Sequence, residues 1–553
     1  MAANKEQKFI VAIGGTGMRC LESFVHLCAM GMFDDEEFNI LTLDTDQNNG
    51  NKRRVEDLIE NYINIKYIDD EKPNGESCAQ TFFSAKLNLY RFATDYSKPN
   101  TETYEVLSGF SEGDDESRED NHILSDLFLD KETVQKFNLA NGYRAQTHLG
   151  SHLMYHGIID AMRNIVKDPN SEQALRAKDL KDFLTLLQES SKSKNARVFV
   201  FGSVFGGTGA SSIPIIPVAF RDALKILDDS HLLNLRDVKF GATLLTEYFK
   251  FDMKDPNQKQ NEKIVANSQY FALNSQAALQ FYQSDPTVRS TYRRFYHVGW
   301  PSTEKTPVDK DNNSDKTVTG GAEQKNNCHV AELLCAAAAY DFFNLDAEST
   351  ELKNKEAKYL FRSVEWDQKN FYFKGRDFFD ADNGDEFEEK LAALFSLAHI
   401  ILTHHQGNSE GISGTQRLLD RLKKHVKDYT VPIYQIQAID TYFKDFAYKM
   451  DGVVPKLGWI YQIFNSIAPG KFIFAQTSFQ NPPKFEVGDL YKDGIHPKWK
   501  TEREWNGIKK SAYETFIGGL VDNKNSEPIK EQKATTSKDQ FLAHMYRAIL
   551  LAQ

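Results

Sequence analysis

Two short glycine loops, each containing Gly-Gly-Thr-Gly, constrain what this 553-residue chain can fold into more than any other feature. The first, Gly14-Gly15-Thr16-Gly17, follows an apolar run at 9–13. The second, Phe205-Gly206-Gly207-Thr208-Gly209-Ala210, follows Val198-Phe199-Val200-Phe201. Each is succeeded by an apolar stretch compatible with a helix. A buried strand, a glycine loop and a helix form the unit in which bare backbone N–H groups and a helix N-terminus hold phosphate. Two such loops in one α/β pattern predict a single nucleotide gripped from two sides.

The segments between and after the loops extend the alternation. Strands are expected at 9–13, 39–43, 197–202, 239–248 and 293–299, with helices at 18–32, from 150 through Met162, after the second loop to about Leu227, and at 264–282. Alternating strands and helices imply a mostly parallel sheet covered on both faces. Between 69 and 121 the pattern loosens, and the acidic stretch 112–120 reads as a solvated loop. Residues 141–150 read as a polar loop and 301–327 as a mobile polar connection. An alanine-rich helix is expected at 328–343. Farther on, 391–403, 415–427, 432–449 and 540–551 read as helices, and 459–464 and 471–474 as strands. The division expected is 1–325 for the nucleotide-binding domain, 326–350 for a central helix and its following loop, and 351–553 for an α+β C-terminal region with a divergent helical extension.

Charge and cysteine usage exclude several classes of function. The net charge is −11, with no basic field to favour nucleic acid or an anionic membrane. The five cysteines form no CxxC pair, which favours buried thiols and a reducing compartment, hence a cytoplasmic location. No apolar run is long enough to span a bilayer, and no signal peptide is evident. His148, His152 and His156 line one helical face. Spread over two turns they cannot all reach one ion, so surface histidines are the favoured reading over a metal site.

Standard fingerprints fit poorly. Gly15-Thr16-Gly17-Met18-Arg19-Cys20 has cysteine at the third glycine of the dinucleotide pattern. There is no GxxxxGK[ST], and Gly202-Ser203-Val204-Phe205-Gly206 places serine wrongly for a nucleophile elbow. The segment from Ser203 to Ser212 instead resembles the GGGTGxG loop of the tubulin and FtsZ superfamily, and the resemblance runs in order along the first 350 or so residues. Gly14 to Gly17 corresponds to that family's first phosphate loop. Leu43-Asp44-Thr45-Asp46 resembles the Asn-Thr-Asp that ends its second strand. Residues 142–150, with Gly142, Arg144 and Gln146, resemble the loop sensing the terminal phosphate, closest to divergent bacterial tubulin-like proteins.

The resemblance implies a tubulin/FtsZ-like α/β GTPase fold that binds GTP or GDP with Mg²⁺. Gly14, Gly15, Thr16, Gly17, Gly206, Gly207, Thr208, Gly209 and Ala210 would cradle the phosphates beside Asp44 and Asp46. Asp46 would hold Mg²⁺ through water, Arg144 would meet a γ-phosphate, and Asn327, or neighbouring Asn326, would either read the purine or cap the helix that follows. A central helix would follow, and self-association head to tail would form filaments. The family's NxDxxD catalytic loop, offered to a neighbouring subunit, is matched best by Asn344-Leu345-Asp346-Ala347-Glu348-Ser349. Asp346 or Glu348 would then orient the attacking water. Serine at the final position weakens the match, as do Phe205 and Ser211 at glycine positions of the second loop. The alternative is a nucleotide-dependent switch or scaffold in a multi-protein bacterial system, with little hydrolysis and protein partners on the C-terminal region. A dinucleotide-dependent enzyme is the third reading.

Overall fold

The computed structural model describes residues 6–46, 48–66, 81–93, 147–193, 196–227, 233–250, 270–301, 321–350 apart from 323 and 325, 357–363 and 375–405, with shorter pieces at 114–127, 306–307 and beyond 439. Seven strands make one sheet: β1 (Gln7–Ile13), β2 (Glu37–Asp44), β3 (Lys86–Ala93), β4 (Ala196–Phe201), β5 (Val238–Leu245), β6 (Tyr292–Val298) and β7 (Lys358–Arg362). Their order is β3-β2-β1-β4-β5-β6-β7, and every pairing is parallel. This is an α/β, Rossmann-like sheet flanked by helices. Strand order reverses between β1 and β4, which opens a crevice at their carboxyl ends.

Strands buried on both faces explain the near-continuous apolar runs that the sequence displays. Along β1, Ile10 and Ala12 enter one core while Phe9, Val11 and Ile13 enter the other. The first face is covered by α1 (Gly14–Ala29), α2 (Gly50–Lys66), α7 (Val330–Asn344) and α8 (Ala381–His405). The second is covered by α3 (Thr147–Lys167), α4 (Lys178–Lys192) and α5 (Ile216–Leu227). Helix α6 (Phe271–Ser284) contributes Tyr282 to that second core. An aromatic knot anchors the first face: Phe24 of α1 lies 4.8 Å from Phe33, 5.0 Å from Phe38 and 6.0 Å from Phe201, centroid to centroid. Helix α7 is apolar nearly all round and lies so close to the sheet that a Cβ on Gly241 would sit 2.8 Å from the Phe342 ring.

Segments beyond residue 375 complete this first core. His26 of α1 meets the Tyr442 hydroxyl at 2.6 Å and packs against Phe446 and Trp459. The Trp459 indole donates to Ser23, and Lys390 of α8 donates to the Gly31 carbonyl. An antiparallel pair, Tyr448–Asp451 with Val454–Leu457, precedes the helix Trp459–Asn465.

Several sequence expectations are corrected. Strand β3 falls in the stretch read as loose; Leu87 and Leu89 alternate with polar residues at the sheet edge, so its apolar signal is only half strength. Edge strand β7 is largely exposed and lacks the apolar run of a central strand. Residues 459–464 form a helix, because their aromatic face is buried against α1 rather than paired in a sheet. Helix α3 starts at Thr147, inside the expected loop. The helix after the second glycine loop breaks at Pro214 into Thr208–Ser212 and α5. Within the expected mobile connection, Gly321, Gln324 and Asn326 hydrogen-bond to the loop after β2. The expected elements at 415–427 and 471–474 lie outside the described residues.

Phe24 links the sheet, α1 and α7 within one packed cluster. Phe24→Ala is expected to lower the free energy of unfolding by about 3–5 kcal/mol. Chemical denaturation checks this, and a loss below ~1 kcal/mol would contradict the packing described.

Candidate functional site

Register places both glycine loops at the crevice. Ile13 pairs with Leu43 and Ala12 with Phe201, so Gly14, Gly202 and Asp44 leave the sheet side by side. Gly14 opens α1 with φ of +65°, a conformation natural to glycine. Three residues on, a Cβ at Gly17 would lie 2.5 Å from the Phe201 carbonyl oxygen, so only glycine lets α1 cross the end of β4. No side chain caps the start of α1, and its first turn holds no acid. The unsatisfied N–H groups and the helix dipole together make this end electropositive.

The second loop is braced from several sides. Val204 donates to the Leu245 carbonyl, and Gly202 donates to the Thr243 hydroxyl, extending the β4–β5 pairing into the loop. A Cβ on Gly209 would lie 2.7 Å from the Ser203 carbonyl oxygen. Tyr282 and Tyr292 donate to the carbonyls of Ala210 and Ile213, and Ser151 of α3 donates to Ser211. Phe205, at a position where glycine was expected, is buried against Tyr248, Phe249 and Phe271 and so fastens the loop to the core. The two loops touch: a Cβ on Gly14 would lie 3.1 Å from Cβ of Thr208.

The end of β2 supplies the polar wall. Asp44 accepts the N–H groups of Thr45 and Asp46 through Oδ1, while its buried Oδ2 has no hydrogen-bond partner. Burial, reinforced by the nearby Asp46 charge, pushes the Asp44 carboxyl up to about 7. Asp46 accepts N–H groups from Asn48 and Gly321. Asn49, Asn51 and Gln324 converge over Gly15, all within 3.4 Å of where its Cβ would be. Sequence reasoning missed these three carboxamides; the Asn48-Asn49-Gly50-Asn51 run at a strand-to-helix turn was the available signal.

Other expected site residues lie elsewhere. Asn327 is exposed immediately before α7, at the crevice end of that helix, while its neighbour Asn326 bonds to Asn51 and Arg54. Asp346 and Glu348 follow the far end of α7, which at 15 residues is about 22 Å long. They therefore lie remote from the glycine loops of their own chain. Asp346 directs both carboxylate oxygens to Ser349, accepting its N–H and hydroxyl. Gly142, Arg144 and Gln146 lie outside the described residues.

Beneath the first loop lies a buried ionic network that the sequence did not reveal. Arg19 of α1 pairs with Glu332 of α7 at 2.7 Å, and both are almost fully buried. Burial opposes the Arg19 charge more than any single neighbour favours it, but Glu332, Tyr248 and Cys328 together hold the guanidinium above its usual range. The Tyr248 hydroxyl and the His329 N–H also donate to Glu332. A second pair, Arg54 with Glu22, ties α2 to α1, and Arg54 reaches Cys328 as well. His329 closes a reciprocal capping box on α7 by accepting the Ala331 N–H.

The crevice thus joins a glycine cradle to N–H groups that no side chain caps, a donor set suited to phosphate oxygens. Among the described residues no group of three His, Cys, Asp or Glu side chains is placed to hold a metal ion alone. Asp44 and Asp46 do match the one or two carboxylates that a Mg²⁺ completed by phosphate oxygens requires. No helix of the described residues is long and apolar enough to cross a membrane. Comparison with known proteins yields no matching family model, no matching curated protein and no matching solved structure.

Burial, aided by the Arg19 charge, pulls the His329 imidazole down to about 3. Below pH 6.5 the unfolded chain takes up a proton that the folded chain refuses, so stability falls as pH drops toward 3. His329→Asn keeps a capping side chain and removes this titration. The variant is expected to lose up to about 1.4 kcal/mol less per pH unit within that window, measured by denaturation at a series of pH values. Parallel wild-type and variant curves would contradict the assignment.

Proposed function

We propose that this chain is a tubulin/FtsZ-like guanine-nucleotide-binding protein whose diphosphate lies across the two glycine loops. The observation that carries the reading is the contact of Gly14 with Thr208, which turns two sequence-distant loops into one cradle at the sheet's switch point. Backbone N–H groups at the start of α1 and in the second loop would hold the phosphates. Asp44 and Asp46 would hold Mg²⁺, which supplies the positive charge that lets two acids border an anion. In the same reading the exposed loop bearing Asp346 and Glu348 serves the nucleotide of a neighbouring copy, and head-to-tail assembly brings the two together.

A second reading, a nucleotide-dependent switch with little hydrolysis, is favoured by one observation. Asp346 spends both carboxylate oxygens on Ser349 within its own turn.

Titration of purified protein with GTP, GDP and NAD tests the nucleotide assignment. GTP and GDP are expected to bind with Mg²⁺, and Gly207→Val and Thr208→Val to weaken binding at least tenfold with melting temperature retained. Tight NAD binding without guanine nucleotide binding would overturn the proposal. Light scattering with GTP separates the two readings, since only the first expects polymer.

A further inference from the structure

The start of α7 is built differently from the uncapped start of α1. Val330 donates its N–H to Ser466 Oγ at 3.1 Å, Ala331 to His329 Nδ1 at 3.1 Å, and Glu332 to the His329 carbonyl at 2.9 Å. His329, rather than Asn326 or Asn327, is therefore the cap. With these N–H groups engaged inside the protein, this end of the crevice has no backbone cradle for phosphate, and a side chain must make any contact with a ligand. The segment leading into the helix is clamped on both sides of Asn327. Before it, the Asn326 N–H donates to Asn51 Oδ1 and the Asn326 carbonyl accepts from Arg54, each at 3.1 Å. After it, the Cys328 N–H donates to Gln462 Oε1 at 2.8 Å. Asn327 itself is exposed and carries a carboxamide able both to donate and to accept. Because Asn51 also lies over Gly15, the clamp sets Asn327 at the rim of the phosphate cradle.

We infer that Gln462 and Ser466 are positioning residues for base recognition: they hold the backbone at 328–330 so that the Asn327 carboxamide meets the edge of the base. The inference rests on the nucleotide reading above and brings two residues of the C-terminal region to the site. Gln462 lies on the helix Trp459–Asn465, and Ser466 ends it, donating to the Ile463 carbonyl at 2.7 Å. That helix is itself fixed to α1: the Trp459 indole donates to Ser23 at 3.0 Å, and Ile460 and Ile463 are buried in the same core. A glutamine and a serine, 134 and 136 positions beyond their partners, thus tie the base-facing segment to the helix that the first glycine loop opens. Both accept from backbone N–H groups, so their effect on a ligand runs through the place they give Asn327.

Calorimetry on the full chain with GDP and with inorganic pyrophosphate, both with Mg²⁺ and alongside thermal melting, tests the inference. Gln462→Ala is expected to bind GDP at least fivefold more weakly and pyrophosphate within twofold of the wild type, since only GDP carries a base. Gln462→Glu keeps an acceptor oxygen at the same reach and is expected to hold GDP affinity within twofold of the wild type. Asn327→Ala is expected to show the same split between probes. Adding Gln462→Ala to it is expected to cost nothing further, because two residues acting through one contact are not additive. Unchanged GDP affinity in Gln462→Ala, equal losses for both probes, or additive losses in the double variant would overturn the inference. Should Gln462→Ala fail to fold, Ser466→Ala, which removes a single oxygen, carries the same expectation with a loss of at least twofold for GDP alone. Unchanged GDP affinity in Asn327→Ala would overturn the base contact and the inference with it. Failure of the wild type to bind either probe would instead overturn the cradle reading on which it rests.

Discussion

Helix α1 can leave β1 in its observed direction only because Gly17 carries no side chain where the Phe201 carbonyl passes. That crossing seats the start of α1 over the carboxyl ends of the paired strands β1 and β4. From it follows the contact of Gly14 with Thr208 at the uncapped start of α1, while the pairing of β1 with β2 brings Asp44 alongside. The aromatic knot around Phe24 holds the same helix to the sheet from below. Packing in the core and geometry at the crevice are therefore one constraint seen at two levels.

The ionic network under the loop adds specificity where apolar packing alone would leave helices free to slide. A buried ion pair is a weak source of net stability, because desolvation opposes the attraction. Arg19 with Glu332 and Arg54 with Glu22 nonetheless fix α1, α2 and α7 in one mutual register. Glu332 also completes the cap of α7, so the same carboxylate sets the start of that helix and its seat against α1.

The sheet's central strands were legible because residues buried on both faces give unbroken apolar runs, as in 9–13 and 198–201. Edge strands were not: β3 alternates, β7 is mostly exposed, and neither repeats the pattern of the middle. The glycine loops were legible because their backbone conformation demands a residue type. By contrast, Asn51 meets Asn326 and Asn49 meets Gln324 through contacts 275 positions apart in sequence, and nothing local in either segment announces them. Trp459 was misread for a related reason, since its aromatic run suits a strand until α1 is present to bury it as a helix.

The central claim is that both glycine loops hold one ligand together. Backbone amide hydrogen exchange, followed at peptides covering 13–20 and 203–212 during a GDP titration with Mg²⁺, tests it most directly. The account predicts that both peptides gain protection with a single shared midpoint, while the peptide covering β7 does not change. Protection of one loop without the other, or two well-separated midpoints, would contradict it.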